Sequence, residues 1–163
     1  MSQQQASAFD PAVYEQQVTE DASSTSVTPV PGGEYVAIIK DYKFRTITQK
    51  KSGEQSLMCD VLYFIQDDTG SLKSMIDRDP IVTHGYFCDT KTGPDSKEVL
   101  DFGKGKNVWL GKLREALNQN TPGIKWSFPM LRGAVCKIVV IEDPAKDDPE
   151  TIYNRVKSVG RLV

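Results

Sequence analysis

Aromatic and basic residues alternate along two segments that have the composition of β-strands, one near position 44 and one near position 155. The residues of this pattern are Tyr42, Lys43, Phe44, Arg45, Tyr153, Arg155 and Lys157. Exposed rings stack on unpaired nucleic-acid bases while cations contact the phosphates, and each stacked base contributes about 1–3 kcal/mol. The pattern therefore predicts a site for single-stranded nucleic acid. The alternative interpretation is that the same rings fill a hydrophobic core.

Four lysines in two loops extend this predicted site toward phosphate groups. They are Lys50 and Lys51 at a hairpin tip, and Lys104 and Lys106 in a Gly-Lys-Gly-Lys run before a helix. The run is not a Walker phosphate loop, because that motif requires glycine at Leu100 and serine or threonine at Asn107. Glycines and lysines at a helix N-terminus still suit a phosphate, and the alternative is a flexible loop with Asn107 near the helix cap.

Residues for catalysis or metal binding form no comparable pattern. His84 is the only histidine, and no serine or cysteine accompanies it in a recognised nucleophile motif. Cys59, Cys88 and Cys136 are far apart in the sequence, which predicts buried reduced thiols and no metal site. Paired aspartates fall in or next to turns and form no calcium loop. We therefore expect a protein that is not an enzyme and that uses no cofactor.

Composition and charge limit the partners of the chain. Its 163 residues are 39% hydrophobic and 26% charged, which is typical of a globular domain. No apolar run has the length of a membrane span and no signal peptide is recognisable, so we expect no membrane partner. Residues 1–33 contain four acidic and no basic residues, and because the whole chain has a net charge of -2, the remainder carries +2. A mildly basic body permits a polyanionic partner without requiring one.

The stretch 101–117 contains the one helix that the sequence predicts. Leu110, Leu113 and Leu117 recur at helical spacing, and Trp109 lies beside them. This spacing predicts a helix with one buried face that includes Trp109.

The other elements are predicted strands. Their predicted bounds are Glu34–Ile47, Gln55–Ile65, a third strand or pair of strands at Leu72–Ile76 and Ile81–Cys88, Ala134–Ile141 and Thr151–Val159. Residues 89–101 are predicted to form an exposed loop. Three strands, a helix and two strands follow one another in the order of an OB-fold. We predict a mainly β domain, an OB-fold-like five-stranded Greek-key barrel with one helix between strands 3 and 4. A sandwich or another small barrel is compatible with the same order.

The chain divides into two parts by composition. Residues 1–32 are rich in Ser, Gln, Thr and Pro and are predicted to form a polar N-terminal arm, either disordered or bound to a partner. Residues 33–163 are predicted to form the barrel domain.

Several short motifs resemble those of a group of small bacteriophage proteins. They are Phe9-Asp10, Pro-Val-Pro-Gly-Gly-Glu-Tyr at 29–35, Lys-Ser-Gly at 51–53, Gly-Lys-Gly-Lys-Asn at 103–107 before Leu-Gly-Lys-Leu-Arg-Glu-Ala-Leu, and Asn154 with Val156. Proteins of this group are often proposed to be OB-fold single-stranded-DNA-binding proteins of phage replication and recombination. The resemblance covers about residues 29–160. It implies single-stranded DNA as the partner and the cytoplasm of an infected bacterium as the location.

The acidic arm opens an alternative. Many single-stranded-DNA-binding proteins end in an acidic tail that recruits partners, whereas here the acidic segment is N-terminal and the last residues are Val-Gly-Arg-Leu-Val. The alternative is a phage virion structural protein that decorates or stabilises a capsid. Its arm would bind neighbouring subunits, as a homo-oligomer or on capsid subunits, and its location would be the virion.

Overall fold

Five antiparallel strands form the main sheet of the computed structural model, which describes residues 10–23 and 27–162. These five strands are β1 (Gly33–Thr48), β2 (Gln55–Ile65), β3 (Ile81–Cys88), β6 (Val135–Pro144) and β7 (Ile152–Gly160), numbered in chain order. The short strands β4 (Thr90–Thr92) and β5 (Glu98–Leu100) form a separate hairpin. The helices are α1 (Pro11–Glu15), α2 (Ser71–Ile76) and α3 (Val108–Ala116), with a 3₁₀ helix at Phe128–Leu131. The predicted mainly β class is confirmed. The first nine residues of the predicted arm, Phe9 among them, lie outside the described residues.

The strand order in the main sheet is β3-β2-β1-β6-β7. β3 and β7 are therefore its two edges, and they lie close to each other without ladder hydrogen bonds within the described part of the chain. The predicted closed barrel is corrected to a sheet that stays open at this seam. The physical reason is that the two edges leave a groove between them, and α3 packs against both edges beside it.

A bulge in β1 decides which of its side chains face the core. The pairing with β2 shifts by one residue between Ile39 and Asp41. Such an extra residue inverts the alternation of the side chains that follow it. Ala37 and Ile39 are buried before the bulge, whereas after it Tyr42 and Phe44 lie opposite the core residues of β2.

The core lies on one face of the sheet. Its strand residues include Ala37, Ile39, Cys59, Val61, Tyr63, Ile65, Val82, Tyr86, Cys136, Ile138 and Val140. The hydroxyl oxygens of Tyr63 and Tyr86 are 2.5 Å apart, so each buried hydroxyl has a hydrogen-bond partner. Burial raises the pKa of both phenols, which keeps both protonated.

α3 buries Leu110, Leu113 and Ala116, as its spacing predicts, but Trp109 is 59% exposed. The prediction that Trp109 belongs to the buried face is therefore wrong. Its angle around the helix is close to that of Leu113, but it lies in the first turn, beside the groove rather than over the packed core.

The segment before β3 is a helix and not the predicted strand. Leu72 and Ile76 are four residues apart and both are buried, which is the spacing of a helix face. The Asp67 carboxylate accepts hydrogen bonds from the backbone N–H groups of Leu72 and Lys73, at 3.1 and 2.9 Å. These bonds satisfy donors at the helix start, where no intrahelical partner exists.

The predicted loop 89–101 contains the β4–β5 hairpin, and Asn107 ties it to α3. The Asn107 side chain accepts a hydrogen bond from the N–H of Asp89 and donates to the carbonyl oxygens of Asp89 and Asp101. Its own N–H donates to the Asp89 carboxylate at 2.7 Å. Asn107 is buried with all its side-chain polar atoms paired, so it fixes where α3 begins.

The last residues of the predicted arm are part of the folded body. Val30 is fully buried, and its backbone N–H and C=O both bond to the Asn154 side chain at 2.8 Å. Arg78 donates to the carbonyl oxygen of Thr28 at 2.9 Å. By contrast, residues 10–23 are exposed throughout. None of the described helices has the length and apolar character needed to cross a membrane.

Candidate nucleic-acid interface

A groove of about 460 Å³ lies where β3 and β7 face each other beside α3. The side chains that give it its chemical character are His84, Phe87, Trp109, Lys112, Arg155 and Lys157. No carboxylate belongs to its lining among the described residues.

The alternation of the two edge strands places these side chains. On β3, Tyr86 is buried in the core, so its neighbour Phe87 points away from the core and is 56% exposed. On β7, Val156 is buried and the residues on either side of it, Arg155 and Lys157, are exposed. On each edge strand one residue is buried in the core, and the residues next to it, Phe87 on β3 and Arg155 and Lys157 on β7, are therefore exposed.

α3 adds an aromatic ring and a cation from its first turns. Trp109 and Lys112 are three residues apart, which brings them onto the same side of a helix. The Lys112 ammonium lies 4.3 Å from the centroid of the Trp109 indole, a cation–π contact. This contact holds a positive charge beside an exposed ring.

The three cations of the groove are held differently. The Arg155 guanidinium pairs with the Asp143 carboxylate at 2.8 Å, on a part of the surface where both side chains are about half exposed. Lys112 is held by its contact with Trp109. Lys157 has no ion-pair partner in the part of the chain that the structure describes, so its charge is available to a ligand.

His84 lies at the inner side of the groove and packs edge-on against the Tyr86 ring, with centroids 4.9 Å apart. Burial and the nearby Arg155 charge lower the pKa of His84, while Asp60 has a smaller opposing effect. The imidazole is therefore neutral near pH 7 and supplies an uncharged ring to the groove.

The predicted site residues of β1 lie on opposite faces of the sheet. Tyr42 and Phe44 join a ring cluster that continues to Phe128 and Trp126, with centroid distances of 4.7 Å for Phe44–Phe128 and 4.9 Å for Trp126–Phe128. Tyr42 is half-buried, and the Arg132 guanidinium lies 4.7 Å from its ring centroid. These rings pack mainly against one another.

The cations of β1 point away from those rings. The Arg45 side chain donates to the Asp60 carboxylate at 2.6 Å, and Lys43 lies opposite Asp60 in the ladder. Gly85 makes room for this pair, because a Cβ on Gly85 would lie 2.9 Å from an Asp60 carboxylate oxygen. The structure therefore does not bring the cations and rings of β1 together.

The other predicted residues divide between the groove and the loops. Tyr153 and Arg155 share one face of β7, whereas Lys157 is the extra residue at a bulge in the pairing with β6. Arg155 and Lys157 line the groove. Lys50 and Lys51 are exposed at the β1–β2 turn. Lys104 and Lys106 are exposed in the loop before α3.

Of the six side chains that give the groove its chemical character, four are absent from the sequence prediction: His84, Phe87, Trp109 and Lys112. For Phe87 the available signal was its position next to a core residue on an alternating strand. For Trp109 and Lys112 it was their spacing of three residues at the start of a helix. Neither signal identifies a groove until the topology brings β3 next to β7.

The described residues contain no cluster of His, Cys, Asp and Glu that could hold a metal ion. Burial raises the pKa of the Cys59 thiol to about 12 and that of Cys136 to about 11. Both thiols are therefore protonated near neutral pH and are weak nucleophiles.

No protein-family model matches this chain. No curated protein matches it either. The features that carry a functional conclusion are therefore those of the groove itself.

Proposed function

We propose that this chain binds single-stranded nucleic acid, with DNA as the expected form, and that the groove between β3 and β7 is its binding site. One observation carries the proposal: two exposed rings and three cations line the same groove, without a carboxylate among its described lining residues. This is the combination that unpaired bases and phosphates require.

In the proposed complex, bases stack on the free face of Trp109 and on Phe87, and phosphates contact Lys157, Lys112 and Arg155. Stacking on a protein ring needs a base that is not already stacked within a duplex, so the site favours single strands. No bond is made or broken in this scheme, and the chain acts by binding.

The strand order supports an OB-type arrangement. An OB barrel opened between its third and last strands has the linear order 3-2-1-4-5, and β3-β2-β1-β6-β7 follows the same order once the short β4–β5 hairpin is set aside. The resemblance at residues 29–160 extends the proposal to phage replication or recombination in the host cytoplasm.

The proposal is tested by fluorescence anisotropy of a labelled oligo-dT strand titrated with the protein at low and at high salt. Duplex DNA of the same length is the control. We expect saturable binding of the single strand that weakens as salt rises, and much weaker binding of the duplex. Equal binding of both forms, or no binding at low salt, would contradict the proposal.

A second candidate function is that of a virion structural protein, and the exposure of the arm favours it. Val13 and Val18 are 64% and 90% exposed, and α1 contains no buried residue. A chain lacking residues 1–26 keeps the Thr28 and Val30 contacts and is the variant to use. If this candidate is correct, the shortened chain no longer assembles into oligomers or binds capsid subunits. Assembly equal to that of the full chain would exclude this candidate function.

A further inference from the structure

We infer that the strand-binding site continues past Lys112 over α3 into a second, shallower depression, so that Lys112 serves two subsites. This inference rests on the proposed function, because it extends the same binding site. The second depression has a volume of about 420 Å³ and includes Phe102, Lys106, Lys112, Arg114 and Glu115 in its lining.

Continuity between the two depressions is the first argument. Lys112 lines the groove beside Trp109 and also lines the second depression. A strand whose phosphate contacts Lys112 therefore has a recess on either side of that contact.

The second depression repeats the chemistry of the groove. The Phe102 ring is 53% exposed, and the Arg114 guanidinium lies 5.5 Å from its centroid. Arg114 also contacts Trp126, with 4.5 Å between the guanidinium carbon and the ring centroid. Lys106 adds an exposed cation. A ring and cations are again close together, as they are at Trp109 and Lys112.

The segment carrying Phe102 is anchored at Asp101, the residue before it. The Asp101 carboxylate accepts a hydrogen bond from the Gly103 N–H at 2.9 Å, and the Asp101 carbonyl accepts one from Asn107 at 2.8 Å. Because Asp101 is held in place, the backbone at Phe102 loses less conformational freedom when a base stacks on the ring.

One feature makes the second subsite the weaker of the two. Glu115 lies in its lining and repels phosphates, whereas the described lining of the groove contains no carboxylate. We therefore expect the groove to bind a short strand on its own and the second subsite to contribute only when the strand is long enough to cross α3. The helix is about 10–12 Å wide with its side chains, so this crossing requires several nucleotides.

The test compares a short oligo-dT of about four nucleotides with a long one of about twelve, a range that covers common site sizes. Phe102→Ala and Lys106→Ala are titrated against both strands by anisotropy. Lys146→Ala serves as the matched control, because Lys146 is an exposed lysine without a described ion-pair partner in the β6–β7 turn, outside both depressions. Thermal unfolding of each variant checks that the fold is intact.

We expect Phe102→Ala to weaken binding of the long strand roughly fivefold, the lower end for one stacked base, and to leave the short strand unchanged. Lys106→Ala has the same selectivity with a smaller effect, and Lys112→Ala weakens both strands. Binding of the long strand that is unchanged in Phe102→Ala and Lys106→Ala overturns the second subsite and leaves the proposed function intact. Loss of both strands to the same extent in these variants also overturns it. If the unaltered protein binds neither strand, the proposed function itself fails, and the second subsite fails with it.

Discussion

β1 and the groove between β3 and β7 both combine aromatic rings with cations, and they arrange them in opposite ways. On β1, consecutive residues alternate in type and therefore in direction, so the rings of Tyr42 and Phe44 pack together while Arg45 pairs with Asp60 on the other face. In the groove, rings and cations come from β3, β7 and α3 and line one recess. Neighbouring residues on one strand point to opposite faces of the sheet. The difference therefore shows that rings and cations come together here only where side chains from separate elements line the same recess.

The change with the largest expected effect is the removal of the Trp109 ring from the groove. We expect Trp109→Ala to weaken single-strand binding by about ten- to a hundredfold, because a stacking platform is lost. Met75→Ala is the matched control, since Met75 is a large apolar side chain exposed to a similar degree outside the groove. If Trp109→Ala and Met75→Ala change the single-strand affinity equally, the groove is not the binding site.

Phe44→Ala tests the other side of the comparison. Because Phe44 packs against Tyr42 and Phe128, we expect its loss to lower the free energy of unfolding by about 1–2 kcal/mol while single-strand affinity changes little. Denaturant unfolding and anisotropy measure the two quantities on the same sample. A sharp fall in single-strand affinity, with an unchanged free energy of unfolding, would show that Phe44 contacts the strand and would contradict this prediction.

Removing single charges gives a smaller effect that distinguishes the two regions. We expect Lys157→Ala to weaken single-strand binding about threefold and to reduce the steepness of its salt dependence by about 0.7, the value for one phosphate contact on a single strand. Arg45→Ala is the matched change on β1, where Arg45 pairs with Asp60 on the outer face of the sheet. It should alter neither the single-strand affinity nor the steepness of its salt dependence. Titrations at several salt concentrations decide between them, and equal losses for both variants would count against the groove.

His84 gives the smallest effect, and it concerns stability. Its pKa in the folded chain is lowered from 6.5, first by burial and then by Arg155, so the unfolded chain takes up a proton at higher pH than the folded one. The contribution of His84 to the free energy of unfolding is thus fully present above about pH 6.5, and it is lost as the pH falls from there through the lower pKa of the folded chain. Denaturant unfolding at pH values on either side of 6.5 should show a smaller decrease for His84→Asn than for the unaltered chain. Because His84 is the only histidine, no other imidazole contributes to the difference, and an identical decrease in both proteins would exclude the effect.

Much of the fold follows from local sequence patterns. The alternation of β2 predicts its bounds, Gln55–Ile65, and the leucine spacing of α3 predicts its buried face. The sequence does not predict the helix at Ser71–Ile76, because a six-residue segment with three apolar residues fits a strand or a helix until the hydrogen bonds of the Asp67 carboxylate to its start are known. The open seam could not be predicted, since closure depends on how two edges far apart in sequence approach each other.

The site was predictable only in part, for a related reason. The pattern of aromatic and basic residues near position 155 predicts Arg155 and Lys157, and both line the groove. Trp109 has the helical angle of a core residue, and only the groove beside the first turn leaves it exposed. Whether the remaining predicted residues contact nucleic acid, Tyr153 and the loop lysines included, stays a prediction.

The most direct test of the central claim is to find where a bound strand touches the protein. An oligo-dT strand carrying photoreactive halogenated uracil is cross-linked by light, and the modified peptides are identified by mass spectrometry. We expect cross-links at Trp109 and Phe87, in peptides from α3 and β3, and their loss when unlabelled oligo-dT competes. Cross-links concentrated at Tyr42 and Phe44, with none in α3 or β3, would contradict the claim that the groove, and not β1, is the binding surface.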